Sequence, residues 1–208
     1  LVTVKILTLD KLKNSQIRYL FSFLLLASVI ILLIDQPDLG QSILLIGSWV
    51  AIVFISGVSL TYILGFFIMF ILFIGGLLFL LPEKFGYIIN RLITFFDPSQ
   101  GDKFQSSSAL DAIKLGGLTG QGMGEGILKE SVPEAHTDYI IAVISEEFGA
   151  VFILFIVIIF LLIGYKVLNK VFLEKDDFIK LALSGLVSLL IIQVFIHIGV
   201  NIRLLPTT

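Results

Sequence analysis

Long apolar runs separated by short polar segments dominate the chain. The first run, 19–34, is bounded by Arg18 and Asp35, and no charged residue then occurs between Asp38 and Glu83. A membrane-spanning helix needs about 20 apolar residues to cross about 30 Å of hydrocarbon. At about 1.5 Å per residue, one straight helix over the interval between Asp38 and Glu83 would be about twice as long as the bilayer is thick. This interval therefore predicts two spans.

The remaining runs complete a pattern of five spans. The small residues at 56–59 predict a reversal, which gives spans at 42–55 and 60–81, and the later runs predict spans at 139–167 and 181–200. Strands of a membrane β-barrel would be shorter and would alternate. The pattern therefore predicts an all-α integral membrane protein: a polytopic helical bundle of about five transmembrane helices, with a long external loop that carries short helices.

Basic residues predict the orientation of this bundle. One group flanks the first span and another lies between the fourth and fifth spans: Lys5, Lys11, Lys13, Arg18, Lys166, Lys170, Lys175 and Lys180. The positive-inside rule makes segments 1–18 and 168–180 cytoplasmic, so segments 82–138 and 201–208 are predicted to be extracytoplasmic. Because the chain begins with leucine, 1–208 is expected to be a single but partial membrane domain.

Composition agrees with a membrane protein. Hydrophobic residues make up 57% of the chain and charged residues 14%, with a mean hydropathy of +1.06, well above the apolar share of soluble domains. The absence of cysteine excludes disulfides and thiolate metal sites within these residues. A net charge of -2 argues against a nucleic-acid partner.

The external segment 82–138 is predicted to contain structure, since unstructured loops beyond about 12–15 residues are uncommon. An amphipathic interfacial helix is expected around Arg91, a turn at 97–102 and a short helix at 105–115. Six glycines between 116 and 126 indicate a tight, re-entrant backbone path. Phosphate cradling is disfavoured because the Gly-Lys-Ser/Thr ending is missing.

Candidate chemistry is concentrated just before the fourth span. Glu134, His136, Thr137 and Asp138 lie within one short stretch. A carboxylate where a helix enters lipid is costly unless it is paired or faces water, so it marks a functional site. The alternative interpretation is a polar loop end that precedes a helix. Arg91 could bind a phosphate through two hydrogen bonds, or it could extend its charge to the headgroups.

Polar residues also lie inside the predicted spans. Around a helix, Glu146 is displaced by about 80° from Asp138 and Glu147 by about 180°. We expect Glu146 to line the same cavity more deeply and Glu147 to pair with another helix; structural pairing of both acids is the alternative. A polar stripe on the fifth span, expected to form interhelical hydrogen bonds, consists of Gln193, His197 and Asn201.

The order of motifs resembles the SEDS family, the FtsW/RodA/SpoVE group. The signature segment is 132–140 followed by 146–149, and three other matches occur in order: 36–41, Asp97-Pro98 with Gly101-Asp102 and Gln105, and Val200-Asn201 with 204–207. The resemblance covers nearly the whole chain. Lys129 and the segment 101–105 resemble the division branch (FtsW) more than the elongation branch (RodA).

The resemblance implies a peptidoglycan glycosyltransferase of about ten spans, of which this chain corresponds to the fifth through ninth. It would polymerise lipid II into glycan strands during cell division and release undecaprenyl pyrophosphate. It would lie in the bacterial inner membrane, at the septum, in contact with membrane lipid, a class B penicillin-binding protein (a transpeptidase) and divisome proteins. A lipid-linked precursor transporter (flippase) and a non-catalytic scaffold for a transpeptidase are the alternatives.

Roles for individual residues follow from the same resemblance. Asp138 is the expected catalytic residue, as a general base or as the ligand of a divalent cation, Mg²⁺ or Mn²⁺. The substrate-binding candidates are Arg91, Gln105, Lys129, Glu134, His136, Thr137 and Glu146, with Arg91 and Lys129 expected on the pyrophosphate. Asp38, Glu147 and Asn201 are expected to support the cavity.

The sequence departs from the family pattern at three places. Tyr139-Ile140-Ile141 replaces the usual Phe-Ile-Phe, His197 replaces an asparagine, and Arg203 replaces a common glycine. The last two put the packing near the outer end of the fifth span in doubt.

Overall fold

The structure, a computed structural model, describes residues 1–9, 15–80, 82–96, 104–127, 135 and 137–206; side chains are described for all of these except 15, 60, 73–74, 77–80, 82–85, 92 and 104–106. Within this part the chain forms eight helices and no strand: α1 (Val2–Leu7), α2 (Ser15–Asp35), α3 (Leu39–Ile55), α4 (Leu60–Leu80), α5 (Pro82–Phe96), α6 (Phe104–Gly116), α7 (Ile140–Leu173) and α8 (Asp177–Asn201). The predicted all-α fold is confirmed.

Three helices in the described residues are long and apolar enough to cross a membrane, namely Gln16–Asp35 in α2, α7 and α8. α3 and the stretch Thr61–Leu72 of α4 are shorter apolar helices. The predicted reversal at 56–59 lies between α3 and α4, where Gly57 has φ +91°. The count of five spans and their orientation remain predictions.

α3 and α8 begin a few residues before their predicted spans, because polar residues cap them. The carboxylate of Asp38 accepts the Gln41 N–H (2.9 Å), which starts α3 at Leu39. The carboxylate of Asp176 accepts the N–H groups of Phe178 (2.8 Å) and Ile179 (3.1 Å) at the start of α8. Side-chain caps of this kind satisfy amides that have no partner within the helix.

The helices group into two compact units. The first contains residues 1–87 and 164–192. Its packing includes Trp49, whose indole N–H donates to the Ser22 hydroxyl (3.3 Å) and whose ring meets Phe23 and Phe66 edge-on at 5.9 and 6.0 Å. Edge-to-face contact is the geometry that aromatic quadrupoles favour, so this cluster joins α2, α3 and α4.

The second unit contains residues 88–163 and 193–208. Its core is built mainly from small side chains contributed by α6, α7, the end of α8 and the turn before α7: Ala109, Ala112, Ala135, Tyr139, Ala142 and Val200. Small residues allow helix backbones to approach closely in a membrane. The close packing holds the start of α7 against the end of α8, and the candidate chemistry lies there.

Candidate active site at the start of α7

Asp138 lies in the turn that leads into α7, between an exposed and a buried neighbour. Thr137 is exposed and Asp138 is half-buried. Tyr139 is only 2% exposed, and its carbonyl accepts the N–H of Ala142 (3.0 Å). Because the Tyr139 ring is fixed in the core, the preceding carboxylate is placed at the edge of that core.

A fully buried asparagine from α8 holds this turn. Asn201 is 0% exposed. Its Nδ2 donates to the carbonyl oxygens of Asp138 (2.8 Å) and His197 (2.8 Å), and its Oδ1 accepts the Ala142 N–H (3.0 Å). The expected interhelical hydrogen bonding of Asn201 is therefore present, between the end of α8 and the start of α7.

The two other members of the polar stripe differ from Asn201 in their surroundings. Gln193 is exposed, and His197 is half-buried. His197 reaches the network through its carbonyl group, which every residue carries. This hydrogen bond is therefore retained although histidine replaces the asparagine that is usual in the family.

α7 is broken at Gly149, where φ is +80° and ψ is 172°. In a continuous helix the N–H of Ala150 would donate to Glu146 and that of Val151 to Glu147. Here they donate instead to the carbonyls of residues 117 (2.9 Å) and 118 (3.2 Å).

The glycine loop, residues 116–126, supplies partners for both sides of the break. The carbonyls of Glu146 and Glu147, which the break releases, accept the N–H groups of Gln121 (2.9 Å) and Gly122 (3.1 Å). Two lost helical bonds are thus replaced by four bonds to the loop. A backbone break at membrane depth requires such partners, because hydrocarbon offers none.

Glycine is needed where loop and helix meet. A Cβ atom on Gly120 would overlap the carbonyl of Glu147, and one on Gly149 would overlap the carbonyl of Leu118. The positive φ at Gly149 is also unfavourable for residues with a side chain. The glycine run therefore provides the close backbone path that the sequence predicted.

The two acids on α7 lie at this contact. Glu146 is fully buried, and its carboxyl carbon would be 3.0 Å from a Cβ atom on Gly126. Glu147 is half-buried. The sequence indicated that both acids and the glycines are notable, but it did not predict that they are in contact. The residue that could have indicated this contact is Gly149, which follows the acidic pair closely in the family signature.

The other predicted site residues are placed less fully. Arg91 is half-buried on α5 and belongs to the second unit, whereas Asp38 caps α3 in the first unit. Gln105 lies in α6, but its side chain is not described, and Lys129, Glu134 and His136 lie outside the described residues. The described part of the chain contains no group of three or more His, Cys, Asp or Glu residues that could hold a metal ion.

The all-α fold defines the class as a polytopic membrane protein. In it, the polar network at the start of α7 places the carboxylate of Asp138 directly before a helix long enough to span a membrane. Within that class, the FtsW/RodA/SpoVE family model, described as "Cell cycle protein", matches residues 3–208, and the chain belongs to this family.

Two curated relatives have the same name. "Probable peptidoglycan glycosyltransferase FtsW" of Caulobacter vibrioides (strain NA1000 / CB15N) is 35% identical over 186 residues, which are 89% of this chain and 47% of that protein. The protein of the same name from Legionella pneumophila subsp. pneumophila (strain Philadelphia 1) is 34% identical over 190 residues, which are 88% of this chain and 47% of that protein. The chain thus spans about half the length of these relatives.

A solved structure shares the fold. A chain from "Structural coordination of polymerization and crosslinking by a peptidoglycan synthase complex" superposes with a TM-score of 0.66 at 24% identity, covering 89% of this chain and 51% of that chain. At this identity the likeness supports the helical architecture alone.

Proposed function

We propose that this chain is part of a peptidoglycan glycosyltransferase that polymerises lipid II into glycan strands during cell division and releases undecaprenyl pyrophosphate. Family membership and the shared name of the relatives support the reaction class. The structural observation that carries the proposal is the placement of Asp138: its carbonyl is bound by buried Asn201 while its carboxylate stays at the edge of the core.

The proposed reaction joins the 4-hydroxyl of an acceptor sugar to the anomeric carbon of a sugar on undecaprenyl pyrophosphate. The Asp138 carboxylate accepts the hydroxyl proton while the new C–O bond forms and the bond to the pyrophosphate breaks. Positioned general-base catalysis contributes about 10²- to 10⁴-fold in rate. The charge that develops on the departing pyrophosphate requires cations, and Arg91 and Lys129 are proposed for this role.

The other substrate contacts are proposed from the family pattern. Glu134 and His136 would position or tune the base, and Gln105 and Thr137 would bind the lipid-linked substrate. Glu146 is also a predicted substrate-binding residue, but because its side chain is fully buried, no direct substrate contact is proposed for it. Asp38 and Glu147 would support the cavity, with Asn201 as described above.

A divalent cation, Mg²⁺ or Mn²⁺, is a second way in which Asp138 could act. In this version the Asp138 carboxylate would hold the cation, which would activate the acceptor hydroxyl. The two versions differ in one outcome: a base mechanism retains polymerisation after chelation, whereas a metal mechanism loses it and recovers it on addition of Mg²⁺ or Mn²⁺.

The proposed setting is the bacterial cytoplasmic membrane at the division septum. There the partners would be lipid II, the growing glycan strand, a class B penicillin-binding protein and divisome proteins. The membrane part of this proposal rests on the helices long enough to span a bilayer, and the division part rests on the name of the relatives.

The decisive test is lipid II polymerisation by the full-length parent with its transpeptidase. We expect Asp138→Asn to lower the rate by about 10²- to 10⁴-fold while expression and binding to the transpeptidase stay unchanged. Asp111→Asn is the matched control, because Asp111 is an exposed acid of the same unit, 3.4 Å from Lys114.

Three other outcomes would contradict parts of the proposal. Full activity of Asp138→Asn would place the base elsewhere. A folded wild type that never lengthens glycan in detergent, where there is no second compartment, would favour the transporter. If the wild type makes no glycan and the Asp138→Asn variant still binds the transpeptidase, the scaffold would be favoured.

A further inference from the structure

We infer that Asn201 is a positioning residue for the proposed reaction: it fixes the main chain of Asp138 and thereby aims the Asp138 carboxylate. The inference rests on the proposed function. Asn201 itself is 0% exposed, so it is placed to act through Asp138 rather than on the substrate.

The hydrogen bonds use both kinds of polar group on the Asn201 side chain. An amide offers two N–H donors and one carbonyl acceptor. One donor binds the His197 carbonyl four residues earlier in the same helix (2.8 Å), which fixes the Asn201 side chain relative to α8. The other donor and the acceptor then bind the Asp138 carbonyl (2.8 Å) and the Ala142 N–H (3.0 Å).

These two remaining bonds span the first turn of α7. They hold one residue before the helix and one residue inside it, so they fix both the position and the direction of the turn. Tyr139, the first of the three residues between them, is buried in the core. The main chain that carries the Asp138 carboxylate is thereby held in place.

Positioning of this kind affects the reaction rate more than substrate binding. A displacement of about 1 Å at a reacting group can cost about 10²-fold in rate. We therefore expect Asn201→Ala to lower kcat by about 10- to 10²-fold and to leave KM for lipid II within about two-fold, since an interaction that aligns the base acts mainly in the transition state. Gln193→Ala is the matched control, because Gln193 is an exposed amide on the same helix.

A second measurement reports on the turn without requiring activity. The exposed Thr137, replaced by cysteine in a cysteine-free parent, carries a nitroxide label whose spectrum reports local motion. We expect the label to become more mobile in Asn201→Ala and to stay unchanged in Gln193→Ala. If Asn201→Ala does not fold, Asn201→Leu is used instead, because leucine nearly keeps the volume of the buried side chain but lacks the donors for Asp138 and His197 and the acceptor for Ala142.

A double-mutant cycle separates positioning from general destabilisation. If Asn201 acts through the base, Asn201→Ala adds no further loss of kcat when Asp138 is already Asn. Equal losses in both backgrounds, or an unchanged label, would overturn the inference. If the wild type makes no glycan but the label still becomes more mobile in Asn201→Ala, the proposed function would be overturned. The conclusion that Asn201 fixes the turn would remain.

Discussion

At the scale of single residues, Arg203 shows why one departure from the family pattern is structurally unfavourable. Arg203 has φ +59°, in the left-handed region where a side chain clashes with its own backbone. The turn that follows α8 requires this conformation: the N–H groups of Leu204 and Leu205 both donate to the Gly199 carbonyl, at 2.7 and 3.0 Å. Glycine is the residue usually found after a helix in this conformation, in agreement with the glycine that the family resemblance implies at this position.

We therefore expect Arg203→Gly to raise the stability of the protein by about 1 kcal/mol, because glycine removes the steric cost of positive φ. Arg203→Ala is the control, since it removes the same charged side chain but keeps the Cβ atom, and it should give no such gain. Thermal unfolding in detergent compares the two variants. An equal gain from alanine would show that the arginine side chain, and not its backbone conformation, is unfavourable.

Sequence reasoning selected Asp138, Asn201 and Glu146 as candidates, but it could not assign their contacts. Asn201 was selected because it lies on a polar stripe, and the stripe predicted hydrogen bonding between helices. Its partner atoms are the main-chain groups of Asp138 and Ala142. Side-chain chemistry does not reveal such partners, because every residue carries the same main-chain groups.

At the scale of elements, the apolar runs predicted where the long helices lie, and side-chain caps account for the early starts of α3 and α8. The break in α7 was not predicted, because Gly149 lies within a run, 139–167, whose length and overall hydropathy predict a single span. The conformation of Gly149 depends on amides and carbonyls about thirty residues earlier, in the loop residues 117–122. A pattern read along one helix contains no information about partners so distant in the chain.

The break leads to opposite expectations for two glycines in apolar helices. Gly149→Ala should destabilise the protein by about 2 kcal/mol or more, since it adds positive-φ strain and a clash with the Leu118 carbonyl. Gly65→Ala should be neutral or stabilising by up to about 1 kcal/mol, because Gly65 lies in α4, where no atom of the described residues comes within 4 Å of an added Cβ atom.

Thermal unfolding of the full-length parent compares these two variants, with far-UV circular dichroism to check helix content. A small effect of Gly149→Ala would mean that α7 can adopt a continuous helix. In that case the four hydrogen bonds between α7 and the glycine loop would contribute little to stability.

At the scale of the whole molecule, the proposed function depends on which side of the membrane the site faces. Undecaprenyl pyrophosphate is released outside the cytoplasmic membrane in the proposed reaction, so the glycine loop and Asp138 must be extracytoplasmic. The orientation was predicted from lysine and arginine alone. Helix geometry is compatible with either orientation, because a helix is equally able to cross the bilayer in both directions.

Single cysteines decide the orientation directly, since this chain contains none. Met123 is 79% exposed in the glycine loop, and Lys175 is exposed between α7 and α8. In intact cells we expect a membrane-impermeant maleimide to label Met123→Cys, and to label Lys175→Cys only after permeabilisation. Labelling of both from outside would show that α7 does not separate them. Labelling of Lys175→Cys alone would place Asp138 on the cytoplasmic side, and an extracytoplasmic polymerase could not use it.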